Sequence, residues 1–317
     1  MADGMVCAYL TMKGGVGKTT LAANVTRSIA DLYSKSILLI DADSQCNLSQ
    51  LLCKEAELDD ESELTFRAAF GSHKLYSAHD LKERKYSNPD TGSSIDFVRG
   101  SFDTFQLNAT ATPTVRNRAE ACFIDFIASA RASYDLTVID TNPSATFTTL
   151  QVLGVCDFLV SPITHDIFSM RGISQVVNEM RRVHRWLENP DRIVIVRNKI
   201  KPLNTDDDVL KFRAQEKKIR EKFPDLARSL MPRHVRTSEL FANEARQDGF
   251  VADQSRVRHD IKAAVVADLN EVAKFVATRS EQLKDARLHP RAPQGSQKTL
   301  WERFTESLGG LTPNQPQ

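Results

Sequence analysis

Short runs of consecutive apolar residues alternate along this chain with longer stretches whose apolar positions recur every three or four residues. Val6–Met12, Ser36–Ile40, Ile95–Val98, Leu136–Ile139, Phe158–Ile163 and Ile193–Val196 are brief and mostly aliphatic or β-branched. Such runs predict strands buried on both faces. Amphipathic spacing predicts helices over about 18–33, 115–133, 144–154, 169–187, 206–223 and 257–283. This alternation implies right-handed crossovers. The expected fold class is therefore α/β: a doubly wound, mostly parallel sheet with helices on both faces.

Two stretches break the pattern. Residues 54–94 are acidic at Glu55–Glu63 and polar around Ser87–Ser94, and read as a surface excursion between strands. From about Leu288 the chain turns rich in Pro, Gln, Ser and Gly, which predicts a domain over residues 1–285 and a flexible tail over 286–317. Within that tail Leu300, Trp301, Phe304 and Leu308 share one face of a possible short helix at 298–309.

The 317 residues carry 42 Lys+Arg against 41 Asp+Glu, a balance that by itself argues against a nucleic-acid partner. The balance hides blocks. Residues 1–170 hold 14 basic and 21 acidic side chains, whereas residues 171–236 hold 17 basic and 9 acidic. The second block has the sign that binding to a nucleic-acid backbone requires. The five cysteines are scattered without any C-x-x-C spacing, as expected of reduced thiols in a cytoplasmic protein. No apolar run approaches the ~18–20 residues of a membrane span.

The chemistry begins with Lys13-Gly14-Gly15-Val16-Gly17-Lys18-Thr19-Thr20, directly after the first strand and at the start of a helix. Glycines let a loop wrap a phosphate with its backbone N–H groups, and the helix N-terminus adds a favourable dipole. Lys18 is placed to reach the β- and γ-phosphates, and the Thr19 hydroxyl to ligate Mg²⁺. Met12 stands where the common phosphate-loop pattern has its first glycine, and Lys13 is an additional lysine. Asp140, at the end of a strand, is positioned to hold Mg²⁺ through water, and Asp43 to orient an attacking water. Asp41 or Asp43 could instead cap a helix beginning near Asn47.

This arrangement resembles the deviant Walker A box of the ParA/MinD family of P-loop ATPases. Asp41-Ala42-Asp43-Ser44-Gln45-Cys46-Asn47 is similar to that family's D-x-D-P-Q-x-N segment, and Asp140-Thr141-Asn142-Pro143-Ser144 to its Walker B, D-x-P-P-S. Arg197-Asn198 stands where MinD-like members keep an adenine-reading asparagine. Met231-Pro232-Arg233 resembles the I-P-R segment bordering the base. The resemblance covers about residues 4–280. It implies ATP and Mg²⁺ as cofactors, with Gly14, Gly15, Val16, Gly17, Lys18, Thr19, Thr20, Asn198, Pro232 and Arg233 around the nucleotide. Thr19, Asp41 and Asp140 would stand around the metal. It assigns catalysis to Lys18 and Asp43, and to Lys13 reaching the partner's phosphates in an ATP-sandwich homodimer. Ser44 and Asn142 replace prolines of the family pattern, which predicts looser loops near the γ-phosphate.

Family members differ in what the ATP-bound dimer grips. ParA-type proteins hold DNA non-specifically until a ParB-like adaptor or cargo protein stimulates hydrolysis; MinD-type proteins hold membrane through a C-terminal helix. Lys298, Glu302, Arg303 and Glu306 cancel in charge, which disfavours the membrane reading through residues 298–309. The basic block favours DNA, through Arg181, Arg182 and Arg185 on one helix, Lys217 and Lys218 on the next, and Arg236 beyond. The phosphate loop comes about a dozen residues into the chain, so operator-specific binding by a preceding helix-turn-helix is not expected. The resemblance therefore implies a cytoplasmic, nucleoid-associated ATPase that partitions DNA or positions cargo.

Overall fold

The computed structural model describes residues 3–55, 64–71, 74–109, 112–144, 146–183, 189–241, 249–255 and 257–285. The tail expected at 286–317, with its helix at 298–309, lies outside the described residues.

The described residues contain eight strands in one sheet: β1 (Met5–Tyr9), β2 (Ser36–Ala42), β3 (Glu83–Asn88), β4 (Ser93–Val98), β5 (Leu136–Thr141), β6 (Phe158–Ile163), β7 (Ile193–Ile200) and β8 (Leu230–Arg236). Their spatial order is β3-β4-β2-β5-β1-β6-β7-β8. Every pairing is parallel except β3 with β4. The strand order reverses around β1, so the crevice at the carboxyl ends of β1 and its neighbours is where such a sheet binds ligands.

Helices α1 (Lys18–Tyr33), α2 (Asn47–Leu52), α3 (Ala78–Leu81), α4 (Thr104–Ala109), α5 (Pro113–Ser133), α6 (Phe147–Val155), α7 (Ile167–Val183), α8 (Asp206–Lys222) and α9 (His259–Asp285) connect the strands. Alternate residues of β1 explain how they divide. Met5, Cys7 and Tyr9 face a core completed by Leu21 and Val25 of α1 and by Val265, Leu269 and Val272 of α9. Val6 and Ala8 face a second core built by Phe123 and Phe126 of α5, Leu150 of α6 and Met170 of α7. A strand buried on both faces reads as an unbroken apolar run.

The described residues of the 54–94 stretch are not a simple surface excursion. Phe66–Phe70 forms a 3₁₀ turn in which Phe66 and Phe70 are buried, with Phe70 stacked on Phe123 at 4.7 Å between ring centroids. Burying two aromatic rings outweighs the polar flanks of this segment. The chain then forms α3 and β3, an antiparallel edge strand that is partly exposed along its length. Among the described residues no helix is long and apolar enough to cross a membrane. Cys7, Cys53, Cys122 and Cys156 are buried and Cys46 is partly buried, none of them in a disulfide.

Candidate nucleotide site

β1 stops at Tyr9, and the chain turns through residues 10–17 before α1 begins at Lys18. Gly17 forms the N-cap of α1 with φ +85°, a left-handed conformation that costs glycine little. Space also requires it: a Cβ at Gly17 would lie 2.4 Å from Asn198 Nδ2. That amide donates to the Val16 carbonyl at 2.8 Å, so β7 braces the loop directly. Around Gly14 and Gly15, by contrast, an added Cβ would meet nothing within 4 Å. The loop borders a cleft of about 460 Å³ whose wall runs from Lys13 to Thr20 and includes Asp43, Asn47, Pro143 and Lys199.

The floor of the site is an ion pair. Lys18 is 7% exposed and its Nζ lies 2.5 Å from Asp140 Oδ1, while the Thr19 hydroxyl donates to Asp140 Oδ2 at 2.7 Å. Burial pushes the Asp140 carboxyl upward, and the Lys18 ammonium and Thr19 hydroxyl pull it back. An incoming polyphosphate offers Lys18 a stronger anion, and Thr19 would then be free for a metal ion. Among the described residues no group of three or more His, Cys, Asp or Glu could hold a metal unaided. Thr19 and Asp140 supply oxygen donors, the ligand type that Mg²⁺ takes.

Of the expected metal set, Thr19 and Asp140 are together. Asp41 is beside Asp140 in strand register but is occupied. It is fully buried, and its Oδ2 accepts the Ser49 backbone N–H and hydroxyl, both at 2.8 Å, capping the first turn of α2 from outside. Burial and the neighbouring Asp140 push its carboxyl up to about 7 against the pull of those bonds. Asp43, rather than Asp41, lines the cleft.

The departure at Asn142 has an effect opposite to loosening. Its Nδ2 donates to Asp43 Oδ1 at 3.0 Å, and its Oδ1 accepts the Ser144 N–H at 3.0 Å. Proline has no side-chain donor; the amide joins the segment after β2 to the segment after β5.

Lys13 also has a partner within its own chain. Half-exposed at 52%, its ammonium lies 3.3 Å from both the Thr164 hydroxyl and Asp166 Oδ2, just beyond β6. Asp166 accepts the Ser169 N–H at 2.8 Å, capping α7. Partial burial pushes its carboxyl up, but bonds from Thr164 and Ser169 and the Lys13 charge overcome this and hold it at about 2.

A second hollow of about 160 Å³ adjoins the cleft, walled by Leu21, Asn198, Thr237, Ser238 and Phe241. Asn198 Oδ1 is buried without a hydrogen-bond partner among the described residues. Pro232 and Arg233 line neither hollow. They are exposed within β8, below its carboxyl end, and it is Thr237 and Ser238, just past that end, that reach the crevice. The Pro232 carbonyl instead accepts from Arg197 at 3.1 Å.

The expected basic surface is only partly gathered. Lys217 and Lys218 are exposed on α8, with Lys217 3.8 Å from Glu221. Arg236 is held by Asp268 of α9, through Nε at 2.6 Å and Nη2 at 3.0 Å. Arg181 and Arg182 fall on α7 but their side chains, like the whole of Arg185, lie outside the described residues.

A strand, a glycine-braced loop, a helix opened by Lys18 and Thr19, and Asp140 on the neighbouring strand define a P-loop nucleoside-triphosphatase fold. The AAA domain family profile matches residues 4–193, and the chain belongs to this family as a ParA/MinD-type P-loop ATPase. The virulence plasmid ParA family protein pGP5-D of Chlamydia muridarum is 30% identical over 173 residues, covering 53% of this chain and 58% of that one. The matched segment thus spans less than two thirds of that relative. The sporulation initiation inhibitor protein Soj of Bacillus subtilis is 25% identical over 238 residues, 74% of this chain and 87% of Soj. In fold, the chain is similar to pNOB8 ParA bound to nonspecific DNA, with a TM-score of 0.60 and 19% identity over 88% of this chain and 99% of that one.

Proposed function

We propose that this protein is a ParA-type partition ATPase that binds Mg²⁺-ATP, dimerises on it, holds DNA without sequence preference, and releases both on hydrolysis. The observation that carries the reading is the convergence of Lys18 and Thr19 on the buried Asp140, beneath an open cleft. Asn198, at the position where the resemblance places an adenine-reading asparagine, lines the second hollow, so the base is assigned to it. Lys18 would bind the β- and γ-phosphates. Thr19, with Asp140 through water, would hold Mg²⁺, which when bound neutralises phosphate charge.

Hydrolysis needs a water aligned with the γ-phosphorus. Asp43 lines the cleft and retains carboxylate lone pairs beyond those used by Gln45 and Asn142, enough to orient that water. The water oxygen bonds to phosphorus as the bond to the β–γ bridging oxygen breaks, leaving ADP and phosphate. Lys13 supplies the trans contact only after leaving Asp166, so dimerisation exchanges an intrachain ion pair for one with the partner's phosphates. In the dimer, α8 with Lys217 and Lys218, together with α7, forms the DNA-facing surface. A ParB-like adaptor or cargo protein couples release to hydrolysis, and DNA binding places the protein on the nucleoid.

The test measures ATP turnover and duplex-DNA binding with ATP, ADP or neither, across a salt series. ATP-dependent DNA binding that weakens steeply with salt, accompanied by DNA-stimulated turnover, is expected. Absence of turnover with nucleotide-indifferent DNA binding would overturn the proposal.

A further inference from the structure

A third lysine stands at the site. Lys199, next to last in β7, lines both hollows, a position it shares only with Gly17 and Thr20. It therefore stands where the base hollow opens into the phosphate cleft. Its stem crosses the loop: the Lys199 Cε lies 3.8 Å from the place a Cβ on Gly17 would occupy.

The backbone at this point is unusual. Lys199 has φ +58°, one of three non-glycine residues with positive φ among those described. The β7–β8 pairing is irregular between Arg197 and Ile200, which brackets it. A side chain longer than that of Asn or Asp rarely takes this conformation, and such outliers concentrate at ligand-gripping positions. Lys199 is exposed and has no hydrogen-bond or ion-pair partner among the described residues. The other two site lysines are engaged, Lys18 with Asp140 and Lys13 with Asp166.

Resting on the nucleotide reading above, we infer that Lys199 is a further binding residue, whose ammonium grips the α-phosphate from the base side of the loop. The geometry assigns it that phosphate. A nucleotide with its base against Asn198 and its terminal phosphates at Lys18 must pass its ribose and α-phosphate between the hollows. Gly17, Thr20 and Lys199 form that passage, and only Lys199 brings a charge. A charge-assisted hydrogen bond there acts on the diphosphate as fully as on the triphosphate, so the residue serves retention of either nucleotide.

The experiment titrates fluorescent ATP and ADP analogues into the full-length parent and the Lys199→Met, Lys199→Arg and Lys199→Gly variants, with thermal melting to establish folding. Expected is a loss of about tenfold in affinity for both nucleotides in the Met and Gly variants. Lys199→Arg should stay within about threefold of the parent. Glycine removes the strained side chain together with its charge, so a loss common to Met and Gly reports the ammonium and not the backbone. Folded Met and Gly variants that bind both nucleotides like the parent overturn the inference, as does a loss confined to ATP, which would put the ammonium at the γ-phosphate. Failure of the parent itself to bind overturns the nucleotide reading along with this one.

Discussion

Lys13 in the loop and Lys18 at the start of α1 are five residues apart, yet occupy opposite environments. Lys18 is buried on the site floor against an Asp140 with no exposure at all, whereas Lys13 is 52% exposed on the rim against a partly exposed Asp166. A buried pair leaves an uncompensated charge when broken; a rim pair is screened and can be exchanged at little cost. The floor pair therefore suits a permanent site, and the rim pair a contact that changes partners.

The largest test of this contrast is Lys18→Met, which strands the Asp140 carboxylate. It should cost about 3–5 kcal/mol in urea denaturation and abolish nucleotide binding. An unperturbed unfolding midpoint would show that the floor pair carries no such weight. Next is Gly17→Ala, which forces a side chain onto φ +85° and a Cβ to 2.4 Å from Asn198 Nδ2. The expected loss is about 2 kcal/mol, with detachment of β7 from the loop visible as faster amide exchange near Val16.

On the rim, Asp166→Ala removes the α7 cap and the Lys13 partner together, for about 1 kcal/mol at pH 7. Its sign with pH is determined. The folded carboxyl is held at about 2, below its unfolded value near 4, so its contribution is present above ~4 and lost as pH falls toward 2. Parent and variant unfolding curves should converge across that window; a constant gap would contradict the assignment. The smallest effect on stability is expected from Lys13→Ala, under about 1 kcal/mol. The same variant should lose ATP-dependent dimerisation in sizing chromatography, and one that dimerises normally would make the rim lysine dispensable.

Sequence carried most of the central architecture because buried parallel strands declare themselves. Phe158–Ile163 and helix 18–33 are found with the expected bounds. β3, reading Glu-Arg-Lys-Tyr-Ser-Asn, had no apolar run to expose it, since an antiparallel edge strand needs only one covered face. β8 was hidden by its exposed Pro232 and Arg233. The phosphate loop was legible because its glycines and lysines are close in sequence. The Thr237–Phe241 wall was not, because its place depends on where β8 ends; the turn residues after a final strand were the available signal. Asp166 and the Asn142–Asp43 bond join residues 153 and 99 positions apart, distances at which local patterning says nothing.

Gly100 lies in the loop after β4, outside every motif. Its N–H donates to the Ser49 hydroxyl at 2.9 Å, and that hydroxyl donates in turn to Asp41. A Cβ at Gly100 would sit 2.9 Å from the Asp41 carboxylate. In a saturation mutagenesis map this loop position should therefore be as intolerant as the phosphate loop itself, for a cause that lies in another strand.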